Sequence, residues 1–335
     1  MPRPVRFTYI HARLAAALLA CAAAGACATE PSTRSAPAPD APMQLADTDA
    51  LLAEGKIAEA IAQLTRVIQE NPTLTTAWVK VGDIYKDQGN YAAAEANYRR
   101  AGQLDPANYH AAFNHGLMLQ LLDRVAEAVR AYLRAVAIQP NSREANLNLA
   151  TAYLQLKESS QALPYAERAV RIDADYGPAR VNLGAVYAAL ERHADAVTEY
   201  EAAAGLMDLE SSPELLLNLA DSLGKLGRFQ EMASTLERLV SIKPTAPAYE
   251  RLGSAQFRLR QYDAALESFR KAAAADPDHF PAHNGIGVCL LNRYLTSPPG
   301  QRDKPAREQA AEAFRRSLQI NRNQPKIIEL LSKYG

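Results

Sequence analysis

Cysteine is almost absent: the 335 residues hold three, and two of them, Cys21 and Cys27, fall within the first 27 positions. Beyond that leader Cys289 stands alone. No internal disulfide can staple the chain, and Cys289 is expected to act as a small buried apolar residue. Net charge is missing as well, because Lys plus Arg balance Asp plus Glu at 37 each. Without a charge excess or a basic helix the chain lacks the clustered cations that phosphate contacts need, so no nucleic-acid partner is expected. Long apolar runs are also lacking. The longest, residues 14–26, falls short of the about 20 residues that a membrane-crossing helix needs. There is no phosphate-cradling glycine loop, His-Glu-x-x-His, paired-cysteine metal site or nucleophile elbow. His279 and His283 are four apart, but Pro281 intervenes and no third ligand accompanies them. No cofactor, metal or enzymatic activity is therefore expected.

What the chain does have is a period. Pro72, Pro106 and Pro140 are 34 residues apart, Ala174 and Asp208 hold the same place in the next two copies, and Pro244 and Pro277 follow. Eight copies run near 41–74, 75–108, 109–142, 143–176, 177–212, 213–245, 246–279 and 280–323. A fixed period of this length signals a solenoid, in which each unit buries its apolar face only against its neighbours. Within a copy, apolar residues at three- and four-residue intervals put one stripe on each of two short helices. A small residue recurs in the first half as Gly82, Gly116, Ala150, Gly184, Ala220, Gly253 and Gly287. An alanine opens the second half (Ala60, Ala94, Ala128, Ala162, Ala196, Ala265, Ala310), and a larger residue follows as Leu64, Tyr98, Tyr132, Tyr200, Leu236, Phe269 and Phe314. Small residues let the two backbones approach and the larger ones fill the space between pairs. Gly55, Gly89, Asp123 and Gly227 are expected to end first helices, and the closing prolines to end second ones.

The second copy carries Trp78, Val81, Gly82, Tyr85, Gly89, Ala94, Tyr98, Ala101 and Pro106. This pattern resembles the tetratricopeptide repeat. The resemblance implies an all-α fold, a right-handed superhelix (an α-solenoid) of about eight helix-turn-helix units. It extends over residues 44–323. Local departures stand out. The first copy has Asp47, Thr48 and Leu51 where others have the small residue and its neighbours, which fits a starting cap. Two extra residues lie near Ser211 and Ser212. The eighth copy contains an insertion of about eleven residues with Pro298, Pro299, Gly300 and Pro305, either a contact surface or a tolerated loop. Residues 324–335 are expected to form a capping helix that Pro325 starts, with Ile327, Ile328, Leu330 and Leu331 covering the end of the stack.

Residues 1–27 resemble a bacterial secretion signal, with Arg3, Arg6 and Arg13 before the apolar stretch. Leu18-Leu19-Ala20-Cys21 and Ala24-Gly25-Ala26-Cys27 both resemble a lipobox, where bacterial prolipoproteins are acylated. Cys27 is the preferred site, because it leaves thirteen residues after Arg13 where Cys21 leaves seven. Ordinary secretion, with cleavage after Ala24 or Ala26, is the alternative and would give a secreted or periplasmic soluble protein. By resemblance to sorted lipoproteins, Ala28 in place of Asp implies an outer-membrane address facing the periplasm. Palmitate and its companion acyl chains would supply the membrane affinity. Residues 28–43, rich in Pro, Ala and Ser, are expected to be a disordered tether reaching up to about 50 Å.

In the tetratricopeptide family the first helices line a concave surface on which partner peptides lie. The resemblance therefore implies a protein or peptide partner and a scaffold role. Asn114, Asn148, Asn182 and Asn218 each stand two residues before the small residue, so they share one face. Asn is a poor helix former, and its amide offers both donor and acceptor to a peptide backbone. Such a ladder either grips an extended segment or reflects the ancestry of the repeat. Lys80 stands at the same place near the start. Toward the end Lys225, Arg251 and Arg258 are expected in the groove, with Phe113 and Phe257 as apolar anchors. Those cations suit an acidic segment or a free carboxylate, or are simply solvated. Signal, tether and repeats together resemble pilus-assembly lipoproteins, which implies work in assembling an envelope machine. A holdase for exported chains and a targeting subunit for a separate envelope enzyme are the alternatives.

Overall fold

The computed structural model describes residues 41–206 and 212–335. Cys21, Cys27, residues 28–40, Asp208 and Ser211 lie outside them. Among the described residues all regular structure is helical. The first four pairs are α1 (Ala41–Ala53) with α2 (Ile57–Glu70), α3 (Thr75–Asp87) with α4 (Tyr91–Leu104), α5 (Tyr109–Leu121) with α6 (Val125–Ile138), and α7 (Arg143–Gln155) with α8 (Ser159–Ile172). The next four are α9 (Gly177–Ala189) with α10 (His193–Ala204), α11 (Pro213–Lys225) with α12 (Phe229–Ile242), α13 (Ala246–Arg258) with α14 (Tyr262–Ala275), and α15 (Phe280–Thr296) with α16 (Lys304–Ile320). A last helix, α17 (Pro325–Tyr334), follows. None of these helices is long and apolar enough to cross a membrane.

Side chains of Asn90, Asn108, Ser142, Ser212 and Asp303 accept a hydrogen bond from the backbone N–H three residues on and so cap their helices. Each helix packs on its sequence neighbours. First helices also meet the first helix of the next pair, as in α3–α5, α5–α7, α7–α9, α9–α11 and α13–α15. Helices on the inside of a curved stack stand closest together, so the first helices line its concave side.

The pair contact is a ring against a glycine. Tyr98, Tyr132 and Tyr200 are buried, and each lies on the glycine sixteen residues before it. A Cβ built on Gly82 would stand 2.9 Å from the Tyr98 ring, on Gly116 2.7 Å from Tyr132, and on Gly184 2.5 Å from Tyr200. Phe269 covers Gly253 and Phe314 covers Gly287 in the same way. Where alanine replaces the glycine, the ring is gone. Ala150 faces a repeat with Ala166 at that place, and Ala220 one with Leu236, all buried. Cys289 is 3% exposed, and burial pushes its thiol up to about 12, which fits the inert apolar role.

Three expectations need correction. First, α1 begins at Ala41, inside the segment assigned to the tether; Pro42 falls in its first turn, where a missing N–H costs nothing. Second, the eighth-repeat insertion is absorbed mainly by lengthening. Both α15 and α16 have 17 residues against 13 or 14 in most others, leaving a short 3-10 turn at Pro299–Gln301, and Pro305 starts α16 rather than breaking it. Third, on α17 Ile327, Leu330 and Leu331 pack against the last pair as expected, but Ile328 is 50% exposed and takes no part in the cap. The mid-repeat turns hold more than the anticipated residues. Gly55, Gly89, Gly227 and Asp123 have positive φ, and so do Lys157, Glu191 and Arg260. The turn geometry is thus kept even where the residue does not favour it.

Replacing Gly184 by Ala should destabilise the protein by about 1–3 kcal/mol through overpacking against Tyr200. Adding Tyr200→Leu should recover part of the loss, as Leu236 opposite Ala220 implies. Guanidinium unfolding of the two variants measures both.

Candidate functional site

The concave face is built from the residues at and around the asparagine ladder. Just before each ladder residue stands an apolar side chain: Val79, Phe113, Leu147, Val181 and Leu217, all half-buried. Only Phe113 was singled out from sequence. The other four could have been found by reading the position beside the asparagines at the same spacing. Phe113 itself is fixed between Tyr109 and Tyr132, with ring centroids 5.7 and 5.9 Å away. Its ring is thus held by two aromatic neighbours rather than standing free.

The ladder side chains are engaged by the solenoid. Asn182 Nδ2 donates to Thr151 Oγ1 at 2.9 Å. Arg251 Nε donates to Asp221 Oδ1 at 3.0 Å, and Lys80 pairs with Asp49. All three reach from one first helix to the same place on the preceding one. Asn114 is 5% exposed and donates to the His110 carbonyl at 3.0 Å. Asn148 lies against the Tyr132 hydroxyl. Asn218 is half-buried on α11. At Lys80, Asn182 and Arg251 the row thus ties one repeat to the one before it, whereas Asn114 bonds within its own helix. Among its amides, the Asn182 Oδ1 is buried without a hydrogen-bond partner.

At the carboxy-terminal end three of the expected residues come together. A cleft of about 500 Å³ between α13 and α15 is lined by Glu250, Phe257, Arg258, Phe269, Asn284 and Val288. A second, of about 270 Å³ between α11 and α13, is lined by Lys225, Phe229, Met232 and Arg258. The two share Ser254 and Arg258 and so form one trough. Lys225 and Arg258 are exposed, and Arg258 lies over the Phe229 ring at 6.0 Å. Arg251 is turned to Asp221 and does not line either cleft. Lys80 and Phe113 belong to the other end of the groove. Sequence reasoning missed Asn284, whose Nδ2 donates to Gln324 at 2.7 Å while its Oδ1 is buried and unpartnered. It also missed Gly285. That glycine stands in the ladder's place because the Phe269 ring sits 2.3 Å from where its Cβ would be.

Toward the amino-terminal end the groove is organised around Asp83. Tyr98 donates its hydroxyl to Asp83 Oδ1 at 2.6 Å, and His110 Nε2 lies 3.0 Å from the same oxygen. Burial acts to raise this carboxyl, but the bonds from His110 and Tyr98 and the charges of His110 and Lys86 outweigh it, and its pKa falls below the ordinary value. Among the described residues no group of His, Cys, Asp and Glu is arranged to hold a metal ion.

Comparison with known proteins agrees with this architecture. Models described as tetratricopeptide repeat match residues 41–179, 147–213, 213–245 and 246–279. Together they span more than half of the chain, which belongs to the tetratricopeptide-repeat family. Mouse Superkiller complex protein 3 is 27% identical over 78 residues, 23% of this chain and 5% of that protein. Hsp70-Hsp90 organizing protein 2 of Arabidopsis thaliana is 30% identical over 97 residues, 29% of this chain and 17% of that protein. The chain thus matches less than a fifth of either relative's length. Pseudomonas aeruginosa PilF has a similar structure, with TM-score 0.52 and 19% identity over 62% of this chain and 94% of that one. At that identity the likeness speaks for the fold alone. Tetratricopeptide proteins generally mediate contacts between proteins.

The depressed Asp83 pKa has a pH consequence. Its contribution to stability is full above the ordinary carboxyl value of 3.8 and is lost as pH falls through the lower folded value. Asp83→Asn should flatten the acid-side loss of stability, read by urea unfolding across a pH series, and leave the neutral-to-alkaline side parallel to wild type.

Proposed function

We propose that this protein is a non-enzymatic scaffold that holds an extended segment of another protein in its concave groove. The observation that carries the reading is the trough of Lys225, Phe257 and Arg258 at the carboxy-terminal end. It sets two exposed cations beside Phe229, Met232 and Phe257, while the two carboxylates in its lining are engaged, Glu250 by Ser254 and Asp221 by Arg251. That leaves the cations to take an acidic segment or a chain-terminal carboxylate beside an apolar side chain. The half-buried stripe from Val79 to Leu217 continues the contact along the superhelix. The Arabidopsis relative is named for organising two other proteins, a role of the same kind. Within the reading, residues 1–27 direct export, Cys27 carries the acyl chains, and the solenoid stands off the outer membrane on the periplasmic side. There it serves the assembly of an envelope machine. A sequence-blind holdase would draw on free ladder amides, and several of those are bound within the solenoid.

Two experiments test this. Lys225→Ala with Arg258→Ala, both at exposed positions where surface changes leave folding nearly untouched, should weaken capture of the native envelope partner by about tenfold or more. Partner recovery is quantified by mass spectrometry after pull-down with wild-type and variant protein. Equal recovery by both rejects the trough as the binding site. Separately, Cys27→Ser should move the full-length protein from the membrane to the soluble fraction. Retention at the membrane would assign the anchor to Cys21, and a soluble wild type would remove the anchor altogether.

A further inference from the structure

One junction of the solenoid departs from the chain's own repeat at four places at once. Where other copies put Ile68, Val136 or Val170, the second has Gly102. Where they have Trp78, Leu216 or Tyr249, the third has Ala112. Two aliphatic places, held elsewhere by Val129 or Val197 and by Leu149 or Leu183, are taken by Glu95 and His115. The first two changes remove side chains and open a cleft of about 330 Å³ between α4 and α6, outside the concave groove. A Cβ on Gly102 would have nothing within 4 Å, so the void is open where a side chain would otherwise stand.

The other two changes put a polar pair beside it: His115 lines the cleft and Glu95 lies behind His115. Glu95 and His115 are 7% and 9% exposed. His115 Nε2 lies 3.0 Å from Glu95 Oε1, and Arg134 Nη2 lies 3.3 Å from His115 Nδ1. An imidazole placed this way donates to the carboxylate and accepts from the guanidinium, so it is neutral. Its pKa is accordingly lowered, chiefly by burial, with Arg134 and Arg99 adding to the effect against Glu95. Glu95 also faces Arg99 at 3.5 Å and Arg124 at 3.8 Å, and Arg124 is itself held by Glu127. Arg99 and Arg134 both line the cleft, with Asn108 and Gln103 beside them. Arg99 thus shares the Glu95 carboxylate with His115 and Arg124, while Arg134 meets the far side of the His115 ring, and both Arg99 and Arg134 are exposed at the cleft wall. A buried polar pair in place of aliphatic packing costs stability, and here it orients an arginine at the wall of a cavity.

We propose that this cleft binds an oxyanion, carboxylate or phosphate, borne by a small organic molecule. Guanidinium forks match the planar pair of oxygens on either group, and the volume sits at the small end of ligand sites. The test is calorimetric titration of the protein with glycerol 3-phosphate and, separately, with succinate. Saturable binding of either at one site per chain is expected, the tighter of the two naming the anion. Gly102→Leu puts a side chain into the void, where a Cβ meets nothing within 4 Å, and favours the helix, so it should melt no lower than wild type and bind at least about tenfold more weakly. Arg134→Gln should weaken binding similarly. Lys225→Ala with Arg258→Ala, in the groove, should leave it unchanged. The proposal is overturned by the absence of saturable binding of either compound up to about 10 mM, or by unchanged affinity in Gly102→Leu and Arg134→Gln.

Discussion

A ring resting on bare backbone sets the geometry of every regular pair in this solenoid. The aromatic side chain of a second helix lies where the first helix carries no Cβ, and the two helices can approach no closer than its thickness. Tyr98, Tyr132, Tyr200, Phe269 and Phe314 each do this over a glycine. Interiors are packed to crystal density, so a ring without its glycine would overpack and a glycine without its ring would leave a void. The two therefore change together, and Ala150 with Ala166 and Ala220 with Leu236 are the smaller matched sets. Because each unit touches only its neighbours, the same contact fixes how one pair turns relative to the next. The curvature of the groove, and hence which first-helix side chains face one another across it, follows from these few core contacts.

The fold was legible because the residues that make it recur. Each packing residue is tied to a period, and eight copies average out local noise. The turns show the limit of that reading. Glycine at 55, 89 and 227 announces a left-handed residue, whereas Lys157, Glu191 and Arg260 adopt the same φ without any signal of their own. There the demands of neighbouring helices override local preference. The eighth-repeat insertion misled for a related reason. Its prolines suggest a loop, yet Pro305 is tolerated in a first turn, and the flanking residues extend two helices.

The site was legible in outline only. Periodicity identifies the face on which Asn114 to Asn218 lie, but not the partner an amide finds, which is His110 on the same helix for Asn114 and Thr151 on the preceding first helix for Asn182. Arg251 illustrates the same gap: its charge is visible in the sequence, and its pairing with Asp221 is not. Gly285 had no reading at all until Phe269 was seen to occupy its side-chain space. Departures from the repeat proved more informative about possible ligands than adherence to it. Glu95, His115, Gly102 and Ala112 are each unremarkable alone, and only their convergence on one junction gives them meaning.

The far terminus is closed by one glutamine. Gln324 Nε2 donates to the Ser317 carbonyl and hydroxyl at 3.2 and 2.9 Å and to the Asn321 carbonyl at 2.8 Å, while its Oε1 receives Asn284. These bonds pin α17 across the surface on which a ninth pair would dock, and the side that α17 turns outward carries exposed Lys326, Glu329 and Lys333. That outward side thus alternates charge with one exposed apolar residue, Ile328, so the helix shows water a mixed face while its inner side covers the eighth pair.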